Sequence, residues 1–409
     1  MKVLFALPFS PVPADFGGAL RVFHLLKHVA LHHKVTVLCY GNLEDKRQLQ
    51  EALPLKAVHM LPYLWKHRHR RLGQLYSCFT RHSFFQQSVT SPRYERALNA
   101  LLADGNFDIV HTEFSHLGPF GLHTQALKVL DAHNVEWDNF RRMHEVSAFG
   151  LKKLHYWAEY KKQRADELRT CRAHDGVIAT SERDLALFAQ HLPGLRGAVV
   201  PNGVDLEYFR PVQTEPQPFH FVFTGHMAYV PNHDGVMWFL DKVWPRIVHK
   251  HPSARFSIVG KNPPPCVLAR QSQSVKVTGT VADVRPHMAK ASVYVVPLRM
   301  GGGTRLKIAE AMAMKKPLVT TRVGCEGMAL THEKTALLED TPEGFAHACL
   351  RLAEDGALQK RLAEEAFQLA WATLGWHTLG QTLLTTYEKW LSEVSTNTNT
   401  DARRTSAVF

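Results

Sequence analysis

Short apolar runs alternate with segments of helical periodicity along almost the whole chain, and they do so in two successive series. The first series predicts strands at Lys2–Leu7, Lys34–Cys39, Phe107–His111, Lys128–Asp131, Gly176–Ala179 and Ala198–Val200. Helices are predicted over Gly18–His32 and most of Trp137–Arg172. The second series follows Pro201-Asn202-Gly203-Val204-Asp205. It predicts strands at Phe219–Phe223, Arg255–Val259, Val275–Thr278, Val293–Val296 and Pro317–Thr320, and helices at Asp234–Lys250, Val284–Lys290 and Thr304–Met314. Strand–helix alternation requires a mostly parallel sheet covered on both faces. Two such series give an α/β chain of two doubly wound, Rossmann-like domains facing a cleft.

At 409 residues the chain exceeds what one ordinary core supports. The expected divisions are 1–213, 214–375, a helix over 376–394 and a polar, disordered tail over 395–409, with Thr214–Pro218 as linker. Apolar residues at 45% and charged residues at 21% suit a globular enzyme. The amino-terminal apolar stretch is short and runs straight into Pro8, Pro11 and Pro13, so it predicts a buried first strand rather than a secretory signal, and a cytoplasmic chain. The six cysteines are scattered, with no metal-ligand spacing.

The net charge of +12 is uneven: residues 51–100 hold eight Lys and Arg against two Glu. Within them, Tyr63–Leu72 interleaves Trp65 with Arg68, Arg70 and Arg71. That mixture suits peripheral contact with an anionic membrane surface, a solvated face being the alternative. No nucleic-acid motif accompanies it.

Chemistry concentrates where strands end. After Val293–Pro297 come Gly301-Gly302-Gly303-Thr304-Arg305-Leu306-Lys307-Ile308-Ala309-Glu310. Glycines admit a ligand close to the backbone, and a helix start at Thr304 would offer unpaired N–H groups to phosphate. Arg305 and Lys307 add cations there, and Glu310 can accept hydrogen bonds from a ribose diol. Gly17-Gly18 sits between the first strand and first helix but lacks dinucleotide or P-loop spacing. Asp131-Ala132-His133-Asn134-Val135-Glu136 puts His133 at another carboxyl edge, and His111 follows a similar logic. Gly225, Gly260 and Gly279-Thr280 end three strands of the second series, a shelf on which a flat base could lie.

These residues resemble the retaining glycosyltransferases of family 4 (glycosyltransferase group 1), which have the GT-B fold. The resemblance rests on the Gly17-Gly18 loop, Asp131–Glu136, Val177–Glu182, Pro201–Asp205 and Gly302–Ala313, and covers nearly the whole chain. The stretches Phe223–Asn232 and Val277–Pro286 are similar to a branch associated with bacterial surface-glycan assembly. It implies that Gly18 lies near the donor phosphates, that His133 points at the transferred sugar, that Glu310 binds the ribose, and that a carboxyl-terminal helix crosses back to the first domain. The family usually pairs two glutamates eight positions apart; here Gly302 stands at the first. It also often carries an arginine where this chain has Gly225-His226-Met227, and Arg305 and Lys307 are the expected replacements for its charge.

The expected activity is transfer of a sugar from a nucleotide-sugar donor to a glycan or lipid-linked acceptor. Without an Asp-x-Asp motif, the reading needs neither metal nor other cofactor, and the leaving diphosphate falls to Arg305, Lys307 and the helix start. A nucleotide-sugar 2-epimerase and a non-catalytic nucleotide- or glycan-binding paralogue are the alternatives.

Overall fold

The computed structural model describes residues 1–65, 69–118 and 120–406, with the side chains of 70, 71 and 395–406 outside the description. The chain divides into two compact units, Met1–Pro201 with Leu379–Phe409, and Asn202–Thr378.

The first unit carries strands β1 (Lys2–Leu7), β2 (Lys34–Tyr40), β3 (Ala57–Leu61), β4 (Ile109–Glu113), β5 (Leu127–Asp131), β6 (Gly176–Ala179) and β7 (Gly197–Val199). They form one parallel sheet in the order β3-β2-β1-β4-β5-β6-β7. The first strand is a nearly continuous apolar run, as burial on both faces requires, whereas the buried β4 turns polar at its carboxyl end with His111, Thr112 and Glu113. The helix Pro92–Gly105 shows how local sequence sets its ends. Ser91 accepts from the Tyr94 N–H, Pro92 opens the first turn, and left-handed Asn106 stops it.

The second unit carries β8 (Gln217–Thr224), β9 (Arg255–Val259), β10 (Val275–Val277), β11 (Ala291–Val296), β12 (Leu318–Thr320) and β13 (Leu337–Leu338). These too are all parallel, in the order β10-β9-β8-β11-β12-β13. In each sheet the winding reverses beside the first strand, between β1 and β4 and between β8 and β11. At such a switch point the loops leave in opposite directions and open a crevice beyond the strand ends.

Several expectations change. The linker is not Thr214–Pro218: the units part at Pro201/Asn202. Asn202 is pinned to the second unit through Thr304, and the Val204 N–H donates to the Leu374 carbonyl. Trp137–Arg172 is two helices, Glu136–Val146 and Leu151–Arg172, because Ser147 is extended and Gly150 takes φ 150°. Residues 395–406, expected as a disordered tail, continue the backbone helix Trp376–Ser406, since extending a formed helix adds one hydrogen bond per residue fixed. Strands β3 and β13 were not anticipated: β3 is an edge strand with little alternation, and β13 has only two residues.

Within the first unit the carboxyl-terminal helix packs closely. A Cβ on Gly176 would stand 2.4 Å from the Trp390 ring, and one on Gly380 would stand 2.2 Å from His28. Tyr387 is fully buried beneath β4.

Candidate active site

Each unit gathers polar side chains at its own switch point. In the first, β4 ends in Glu113 and β5 in Asp131, paired directly in register. His133 follows two residues later with φ 53°, a left-handed conformation held by the Thr180 hydroxyl, which donates to the His133 carbonyl at 2.8 Å. Phe114, also at positive φ (68°), lays its ring on the imidazole with centroids 3.7 Å apart.

The imidazole is further fixed through its edge. His133 Nε2 lies 2.5 Å from Glu113 Oε2, and His111 Nε2 lies 3.2 Å from Glu113 Oε1. His111 Nδ1 meets the Tyr387 hydroxyl at 2.6 Å. One proton arrangement satisfies all three contacts. Tyr387 donates to His111, and both imidazoles donate Nε2–H to the carboxylate. Burial pushes the Glu113 carboxyl up, but the hydrogen bonds from His111 and His133 outweigh it and hold the group well below the usual carboxylate range. His133 Nδ1 then keeps its lone pair, and among the described residues no hydrogen bond engages it. The arrangement can accept a hydrogen bond from a hydroxyl, or take up positive charge shared with Glu113.

Asp131 has a different task. Its carboxylate pairs with Arg21, Nη2 to Oδ2 at 2.8 Å, both side chains fully buried. Arg21 Nη1 also donates to the Pro201 carbonyl. His111, Glu113 and Asp131 offer atoms within 4.8 Å of one another, close enough for a metal ion. All three are already committed to Arg21, Tyr387 and His133, which meet the charge within the protein. Glu136 accepts from Asn134 and Asn139. Glu167, which caps the start of the helix Glu136–Val146, is pushed up to about 8 by burial and by neighbouring Glu136.

Gly17 and Gly18 open the helix Gly17–His32. The space over Gly18 is taken by Phe114, whose Cζ would stand 2.7 Å from an added Cβ. The glycine therefore lets Phe114 reach His133. A cavity of about 810 Å³ lies at the opposite, amino-terminal edge of this sheet, beside Lys128, Asp175 and Arg196, away from these residues.

In the second unit Gly225, Gly260 and Gly279 form a connected edge: the Gly225 N–H donates to Val259 and the Gly260 N–H to Gly279. Gly260 (φ 145°) is required by its neighbour, since a Cβ there would fall 1.9 Å from the Gly225 carbonyl oxygen. Thr280 is exposed just beyond. The Lys307 ammonium fills the position beside Gly225, 2.7 Å from where a Cβ would stand. It donates to Asn232 Oδ1 at 2.7 Å and lies 4.0 Å above the Phe223 ring. Asn232 was not singled out in the sequence; its place at the start of the helix Val230–Trp238, facing Lys307, makes it part of this cluster. Burial lowers Lys307 to about 7 and raises Glu310 to about 7, while each charge favours the other. Among the described residues the Glu310 carboxylate takes part in no hydrogen bond.

Two expectations about the glycine loop change. The helix runs Leu306–Ala313 with Arg305 as its N-cap, so Thr304 does not open it. Thr304 is buried instead, its hydroxyl accepting from the Asn202 N–H at 2.9 Å. Arg305 folds back on the loop, donating to the carbonyls of Gly302 and Gly303 and so holding Gly301–Gly303 in shape. Of the expected basic patch, Trp65 is half exposed, with its ring 6.2 Å from Tyr76. Arg68 and the side chains of Arg70 and Arg71 lie outside the described residues.

Two family models match the chain in tandem: Glycosyltransferase Family 4 over residues 17–208 and Glycosyl transferases group 1 over residues 218–355. Sucrose-phosphate synthase from Thermosynechococcus elongatus shares the fold across 96% of this chain and 100% of its own (TM-score 0.70, 15% identity). The chain belongs to the GT-B glycosyltransferases. HepE of Anabaena, solved in complex with UDP-glucose, superposes over 95% of this glycosyltransferase and 100% of its own chain (TM-score 0.65, 17% identity). A Klebsiella pneumoniae protein described as an uncharacterized 44.6 kDa protein in the cps region is 20% identical, covering 90% of this chain and 94% of its own. Among the described residues no helix of the glycosyltransferase is long and apolar enough to cross a membrane.

Proposed function

We propose that this glycosyltransferase moves a sugar from a nucleotide-sugar donor to a glycan or lipid-linked acceptor in surface polysaccharide assembly, with retention of configuration and without a metal ion. Lys307 carries the reading. Its ammonium is lodged against the Gly225 strand end, where the family's usual arginine is missing, and Asn232 aims it. There it neutralises the donor diphosphate, with the N-terminal turn of the helix Leu306–Ala313 adding partial positive charge. Gly225, Gly260 and Thr280 border the nucleoside. Gly302 and Gly303, shaped by Arg305, leave room for the phosphates, and Glu310 accepts from the ribose. His133, braced by Glu113, accepts from a hydroxyl of the transferred sugar and stabilises the developing oxocarbenium ion. The carboxylates beside His133 are already engaged, Glu113 by His111 and His133 and Asp131 by Arg21, which favours front-face attack, with the leaving phosphate taking the acceptor proton, over double displacement. The UDP-glucose bound by HepE and the cps-region setting of the Klebsiella protein support the donor class and the pathway.

The test begins with calorimetric titration of UDP and UDP-sugars. Lys307→Met is expected to weaken nucleoside-diphosphate binding by about 1.5–3 kcal/mol, the worth of a hydrogen bond to a charged group. Because free Lys307 titrates at about 7 and a bound diphosphate favours its charged form, affinity should be full below that pH and fall as pH rises above it. Unchanged affinity in the variant would remove Lys307 from the donor site. Turnover measured in excess EDTA addresses the metal: activity is expected to persist. Loss restored by magnesium or manganese would overturn the metal-free mechanism, and donor binding without transfer to any acceptor would favour a non-catalytic role.

A further inference from the structure

The helix Arg70–Cys78 is amphipathic in the inverted sense. Leu72, Leu75, Tyr76 and the C-cap Phe79 fall on one stripe, and that stripe faces solvent: Leu75 is 60% and Phe79 84% exposed. Among the helix's described side chains, those buried are Gly73 and Ser77. A helix on a soluble surface normally does the reverse, burying its apolar stripe. The helix Leu151–Arg172 is tied to it by Lys162, whose ammonium donates to the Ser77 carbonyl at 2.6 Å. This second helix also starts with exposed apolar groups. Phe149, just before it, is wholly exposed, Leu151 is 88% exposed, and Leu154 and Trp157 continue the stripe.

Charge distribution identifies what such a surface meets. The acidic residues of the helix Leu151–Arg172 are Glu159, Asp166 and Glu167, and all three are buried. Its outward positions hold Lys152 and Lys161 beside the apolar stripe, and Arg81 is exposed beyond the shorter helix. Apolar side chains flanked by lysine and arginine, with no carboxylate on the outward side of that helix, match the boundary between acyl chains and anionic headgroups. A protein partner would be expected to meet a rim of mixed charge. We infer that this face of the first unit docks on an anionic lipid bilayer, with Phe79, Phe149 and Trp157 entering the headgroup layer. The inference does not rest on the proposed donor site, so its failure would leave the transfer reaction standing.

The test is co-sedimentation of the purified full-length protein with phosphatidylcholine vesicles, with and without phosphatidylglycerol. Binding is expected only to vesicles containing the anionic lipid, and to fall as salt rises. Lys152→Ser and Lys161→Ser should each weaken it by up to about fivefold. A Phe79→Ser/Phe149→Ser/Trp157→Ser variant should lose at least tenfold while keeping its melting temperature, UDP affinity and turnover on a soluble acceptor, because these side chains are exposed in the folded chain. Equal binding to both vesicle types, no binding to either, or full binding by the triple variant would overturn the inference. So would concentration-dependent self-association that the triple variant abolishes, since the face would then be an interface between copies of the chain.

Discussion

Arg21→Met is expected to destabilise the first unit by about 3–5 kcal/mol, the cost of removing one partner from a buried ion pair. Arg21 and Asp131 are both fully buried and meet at 2.8 Å, and among the described residues no second ion pair engages the carboxylate left behind. The Pro201 carbonyl would lose its donor as well. The measurement is urea denaturation of the variant beside the parent protein. The double variant Arg21→Met/Asp131→Leu separates a lost ion pair from lost packing. Removing both charges should return much of the stability, because an apolar pair of similar volume incurs no desolvation cost. A single variant as stable as the parent would show that the pair contributes little, and that the β5 edge is held by its backbone alone.

The second large effect concerns turnover. With His133 acting on the transferred sugar, as proposed, His133→Ala should lower kcat and kcat/KM together by roughly 10²–10³, the range for removing a positioned transition-state donor or acceptor. Nucleoside-diphosphate affinity should hardly change, because Lys307 and Glu310 belong to the other unit. Glu113→Gln is the more discriminating variant. It keeps the size of the side chain but sets an amide where two imidazole N–H groups now converge. One of them must turn or change tautomer, so the Nδ1 lone pair of His133 is no longer fixed. A smaller fall in kcat with unchanged KM is expected, together with a shifted pH–rate profile. Wild-type turnover in purified His133→Ala would remove the residue from the reaction.

Some of this arrangement was legible in the chain. Glycines at strand ends mark positions where the backbone must come close to something, and Gly225 and Gly260 do take φ values that favour glycine. What they approach was not legible: Gly260 meets the Gly225 carbonyl and Gly18 meets the Phe114 ring. Glu113 was missed, although a signal existed. His111 and Glu113 stand at alternate positions of the buried strand Ile109–Glu113, so the two share one face. The helix start was misplaced by two residues because Thr304, a good capping residue by type, is claimed by Asn202 from a distant part of the sequence.

By itself the sequence determined the two-series α/β architecture, the parallel sheets and the concentration of polar and glycine residues at carboxyl edges. These follow from local periodicity, since a strand buried on both faces is mostly apolar and its polar groups collect at its carboxyl end and in the loop beyond. Only the tertiary structure decided the strand order, and with it which polar residues meet. His133 finds Glu113 across 20 residues, Lys307 finds Asn232 across 75, and Tyr387 finds His111 across 276. Such pairings carry no local period. They arise because the winding of both sheets reverses beside the first strand, which brings β4 against β1 and β11 against β8, and because burying those polar groups is tolerable only where each supplies the other's hydrogen bond.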